Sequence, residues 1–72
     1  MGNYDLAKSR ANKLRRALMD NGVPCWELHH YETEDGIPTE VCFSVDLCDT
    51  EDNPVSVTFG FSADTGEICQ GV

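Results

Sequence analysis

Two hydrophobic periods divide this chain. Near the start, Tyr4, Ala7, Ala11, Leu14 and Leu18 recur at spacings of three and four, which is one face of a helix. Asn3 stands at a favourable N-cap position, and Asp5 in the first turn suits the helix dipole. Arg15 and Arg16 lie towards the other end. Asn21-Gly22 supplies a stop, and Pro24 blocks continuation. The pattern predicts a helix over about residues 4–21.

From there on, the apolar positions alternate with period two. Strands are expected at about 25–32, 40–48, 55–62 and 67–70. In the first, Trp26, Leu28 and His30 form one face, and Cys25, Glu27, His29 and Tyr31 the other. Val41, Phe43, Val45 and Leu47 form the apolar face of the second. Val55, Val57, Phe59 and Phe61 form that of the third. Asp35-Gly36 reads as a two-residue hairpin loop. That loop sets Trp26 opposite Val45, Leu28 opposite Phe43, His29 opposite Cys42, His30 opposite Val41 and Tyr31 opposite Glu40. Apolar then meets apolar and polar meets polar, as a correct register requires. The helix is the one element available to cover the apolar face. The expected architecture is a single α+β domain over residues 1–72: an N-terminal helix packed on a three- to four-stranded antiparallel sheet in meander order. Trp26 is placed in the core by its parity.

Charge is segregated along this frame. The formal net charge is −8, and all five cations, Lys8, Arg10, Lys13, Arg15 and Arg16, fall in the helix. Of thirteen acids, Asp5 alone precedes residue 17, so everything beyond is acidic without a single Lys or Arg. Ordinary soluble surfaces intersperse both signs. Glu27, Glu40 and Asp46 fall on the uncovered sheet face, Glu34 in the first hairpin, and Asp49, Glu51 and Asp52 in the loop between the second and third strands. These seven are the candidate partner-binding residues. Spaced carboxylates imitate a phosphate backbone, so a Lys/Arg-lined nucleic-acid site on another protein would accept them. The competing reading is a solvated acidic surface without a specific partner. Net −8 argues against direct contact with nucleic acid.

In size, acidity and lack of a catalytic motif, the chain resembles phage-encoded inhibitors of bacterial defence, the anti-CRISPR proteins above all. That resemblance implies a cytoplasmic inhibitor, acting in a bacterial host cell on a basic nucleic-acid-binding complex. A second, local resemblance lies in Val57-Thr58-Phe59-Gly60-Phe61-Ser62-Ala63-Asp64-Thr65-Gly66-Glu67-Ile68. This run is similar to the strand–turn ending of PepSY-type domains, which implies a helix-plus-sheet module linked to peptidase inhibition. The rival function is therefore an interaction module that takes a peptide or protein along a strand edge. A homodimer is a further expectation.

Sharper chemistry finds less support. His29, Cys42, Gly60 and Cys69 line up as one row across the sheet, the residue types zinc favours. There is no Cys-x-x-Cys, and structural thiols are the preferred reading, with no metal expected. Cys25 and Cys48 are read as outward-facing free thiols. Asp49-Thr50-Glu51-Asp52-Asn53 fails as a calcium loop, because Pro54 stands where glycine is needed. Nucleophile elbow, phosphate-binding loop and HExxH are all missing. No enzyme activity and no cofactor are expected. The first residues do not form a signal peptide, and no apolar run suits a membrane span.

Overall fold

The computed structural model describes residues 2–50 and 53–71, with 48–50, 53 and 54 given by their backbone alone. Helix α1 spans Tyr4–Asp20 and is followed by β1 (His29–Glu32), β2 (Pro38–Thr50), β3 (Asn53–Ser62) and β4 (Ile68–Gln70). The strands form one antiparallel sheet in the order β1-β2-β3-β4, with α1 packed on it. This is the α+β meander that the two periods predict.

Ala7 and Ala11 are fully buried on the inner stripe of α1, with Tyr4, Leu14 and Leu18 half-buried beside them. Two alanines in the stripe let the helix axis approach the sheet closely. The C-terminus closes as a Schellman motif: Val23 N–H donates to Leu18 O and Gly22 N–H to Met19 O, both at 3.0 Å. Gly22 makes this possible with φ of +83°. At the other end Asn3 does not cap with its side chain. Its Nδ2 instead donates to Asp64 O at 2.8 Å, tying the helix start to the turn after β3. Arg10 Nη1 adds a second tie, to Gly66 O at 2.7 Å.

The core lies between α1 and the middle of β2 and β3. Phe43 is fully buried, Val41 and Val45 nearly so, and Phe43 stacks obliquely on Phe59 at 5.6 Å between centroids. The β2–β3 register is the expected one: Phe43↔Phe59, Val45↔Val57, Cys42↔Gly60. Asp49 and Thr50 continue β2, and Asn53 and Pro54 begin β3, where the pattern predicted loop.

The edges depart from expectation by single residues. The first hairpin loop holds three residues, Glu34-Asp35-Gly36, not two: Thr33 N–H donates to Ile37 O and Gly36 N–H to Thr33 O, both at 2.9 Å. Gly36, at φ +80°, takes the left-handed position such a loop needs. A bulge at Thr39 then cancels the shift, because Glu32 pairs with Pro38 but Tyr31 with Glu40. His29↔Cys42 and His30↔Val41 therefore match the sequence reading, through two compensating departures from it.

Upstream, regular pairing starts at His29 rather than at 25, and Cys25 forms an isolated bridge with Val45. One extra residue lies between Cys25 and His29 than between Val45 and Cys42, and it reverses the parity. Trp26 N–H donates to Ser44 O at 2.8 Å. Trp26 is thus not core: it is 61% exposed, and Cys25 sits half-buried against the core instead of facing outward. The physical reason is space. Cys25 Sγ reaches the helix carbonyl of Arg15 at 3.8 Å, so helix and strand lie too close there for an indole. Finally, Gly60 pairs with Gln70 and Phe61 with Ile68, so Cys69 is a bulged residue and not the partner of Gly60. Among the described residues no helix is long and apolar enough to cross a membrane.

Candidate partner-binding surface

α1 covers one face of the sheet, and among the described residues no other helix covers the face away from it. Asp46 on β2, Glu27 in the stretch before β1 and Glu34 in the first hairpin are all exposed. Glu40 differs, being half-buried. Asp49 is described by its backbone alone, and Glu51 and Asp52 lie outside the described residues. Apart from Glu40, every acid whose side chain is described is exposed.

These charges are not neutralised from within. Among the described residues the one ion pair joins His30 Nε2 and Glu32 Oε2 at 3.3 Å. The helix cations do not fold over the acids. Arg15 Nε donates to Trp26 O at 2.6 Å, and Arg10 is held by Gly66 O. An exposed carboxylate without a counter-charge in its own chain is left available to a cationic partner.

Aromatic groups stand among the acids. Trp26 and Tyr31 are 61% and 54% exposed, and Tyr31 packs edge-on to His29 at 5.6 Å. Beside Trp26, Ser44 Oγ and Thr58 Oγ1 share a hydrogen bond of 2.9 Å across β2 and β3. The indole was missed from sequence because an alternation count cannot see the bulge that turns it outward.

One knot of side chains on this face is packed. Cys42 is fully buried, with its Sγ hydrogen-bonded to His29 Nε2 at 3.1 Å. The Glu40 carboxylate lies over Gly60, filling the space a Cβ there would need. One of its oxygens, Oε2, is buried without a hydrogen-bond partner. Burial pushes the Cys42 thiol up from its ordinary value, and the negative charges of Glu40 and Cys69 add to the effect, partly offset by a hydrogen bond from Tyr31. Cys69 is raised too, by burial first and then by the charge of Glu40 and a hydrogen bond to it. Raised thiols stay protonated near neutrality, the opposite of what a nucleophilic cysteine requires. Cys25, Cys42 and Cys69 are free thiols. The expected row His29, Cys42, Gly60 is present, but no three His, Cys, Asp or Glu side chains among the described residues are placed to hold one metal ion.

Comparison with protein families, with curated proteins and with solved structures finds no match to this chain.

Proposed function

We propose that this chain is a non-enzymatic inhibitor that imitates nucleic acid, docking its acidic open face on a Lys/Arg-lined nucleic-acid site of another protein and excluding the true ligand. The observation that carries the reading is the unspent charge. The described acids on the sheet and its loops are exposed, and no Lys or Arg among the described residues pairs with any of them. Glu27, Glu34 and Asp46 supply the field, and Trp26 and Tyr31 supply the kind of aromatic anchor that concentrates binding energy at an interface. Glu40, tucked over Gly60, contributes less than its position suggests. A host defence complex that grips nucleic acid fits this chemistry and the resemblance to anti-CRISPR proteins.

The test is a competition. Proteins captured from a bacterial lysate on the immobilised chain are loaded with a labelled duplex, and free chain is added. Displacement is expected at about 50 mM salt and should be largely lost by about 200 mM, since contacts to spaced charges are steeply salt-dependent. The combined variant Glu27→Lys, Glu34→Lys, Asp46→Lys should no longer displace. Displacement that ignores both salt and charge reversal would sink the proposal.

A further inference from the structure

At the outer edge of β1 three features meet that give the strand-edge reading a specific form. Between the first turns of α1 and the edge strand β1 lies a cavity of about 280 Å³, lined by Tyr4, Lys8, Leu28, His29, His30 and Val41. Its volume falls just below the range of ligand pockets, about 300 to 1,000 Å³, so it suits one residue rather than a large cofactor. Val41 and the half-buried Leu28 give it apolar walls. Tyr4 stands edge-on to His30 at 5.8 Å.

The first feature is charge. Lys8 lines the cavity and has no ion pair among the described residues, so its local charge favours an anionic group there. Glu32 engages His30 at 3.3 Å, which leaves Lys8 as the principal anion-binding group. The second feature is the edge. β1 is the outer strand of the sheet, so its outward N–H and C=O groups are unpaired by any other strand of the chain. The third is a stop. Just upstream, Arg15 Nε occupies Trp26 O at 2.6 Å and regular strand geometry begins only at His29, so a strand added beside β1 finds no free carbonyl at Trp26 to pair with. Pairing of an added segment therefore ends beside the cavity.

We infer that the groove between α1 and the outer edge of β1 is a docking site for the free C-terminal end of an extended peptide. Backbone pairs along His29–Glu32, the last side chain enters over Leu28 and Val41, and the terminal carboxylate meets Lys8. Strand addition supplies affinity in such a site, and the pocket and carboxylate capture supply specificity. The site is independent of Glu27, Glu34 and Asp46, so its failure leaves the nucleic-acid mimicry untouched.

The experiment uses the full chain, ¹⁵N-labelled. It is titrated with short Thr/Val-rich peptides ending in Leu, Val, Phe or Met, each as free acid and as C-terminal amide. Free acids should shift the backbone amides of Tyr4, Lys8, Leu28 and His30, and bind about tenfold more tightly than the amides. Lys8→Ala, an exposed position whose spectrum should otherwise be preserved, should erase the difference between acid and amide. Glu32→Gln, which frees His30, should tighten the acids further. Equal binding of acid and amide would overturn the inference. So would the lack of shifts at these four amides from every peptide at about 1 mM. N-acetyl-leucine binding as tightly as the peptides would overturn the strand-addition part, and with it the peptide as ligand.

Discussion

The two halves of the β2–β3 hairpin have the same alternation and opposite fates. In the near half Val41, Phe43 and Val45 are sealed under α1. In the far half Leu47 and Val55, a directly opposed pair on the same face, are 46% and 47% exposed. Length explains the difference. A helix of 17 residues is about 26 Å long at 1.5 Å per residue, whereas the 13 residues of β2 reach about 43 Å at 3.3 Å each. The long axis of the molecule measures 43 Å, the same as that strand's length. Flanking strands run out as well: the first segment last touches β2 where Pro24 O accepts from Asp46 N–H at 3.1 Å, and β4 reaches only to Gly60. Beyond that the sheet is a two-stranded ribbon, an arrangement only marginally stable in water by itself. A periodic pattern therefore says which face is apolar, but not how far the cover extends.

The comparison breaks most visibly by truncating one residue in each half. Phe43→Ala should cost about 3–5 kcal/mol, most of what a domain this small has to lose. Leu47→Ala should cost under about 1 kcal/mol. Urea midpoints of the two variants check this, and similar losses would mean the far half is packed after all.

Alkaline pH sharpens it next. The thiols of Cys42 and Cys69 are both raised in the folded chain. The unfolded chain then ionises first, near the ordinary thiol value of about 8.5. It releases protons that the folded chain still holds, so stability is intact below that pH and falls as pH rises above it. The urea midpoint should drop between neutral and alkaline buffer. Cys42→Ala should flatten that drop, and Leu47→Ala should leave it unchanged. An unaltered slope in Cys42→Ala would remove the near half as its source.

The smallest effect expected is at Glu40. Its charge raises both thiols, so Glu40→Gln should lower them and speed alkylation of the exposed Cys69 by iodoacetamide in mildly alkaline buffer. Slower or unchanged alkylation would show that Glu40 does not act on that thiol.

Much of the frame was legible. The 3–4 spacing from Tyr4 to Leu18 marked α1 to within a residue, and Asn21-Gly22 marked its end. The central register followed from matching Phe43 to Phe59, because a slip of one residue would turn every apolar side chain of β2 or β3 towards water. Exposure of Asp46 followed from the same parity and that of Glu34 from loop position, whereas Glu27 is exposed although the parity that predicted it is broken just there. What escaped were the one-residue insertions: the residue gained before His29, Thr39, and Cys69. A bulge changes neither composition nor the local run of apolar and polar types by more than one place. It nonetheless reverses everything upstream of it, as Trp26 and Cys25 show.

Sequence alone therefore determined the types of element, the apolar side of each and the separation of cations from anions. These depend on periodicity and local chemistry, which are properties of neighbours along the chain. Tertiary structure decided how far the helix covers the hairpin, which way Trp26 points, and that Glu40 lies over Gly60 beside Cys42. Those outcomes depend on side chains from different strands competing for the same space, and the lengths and bulges that settle the competition exist only once the strands are paired.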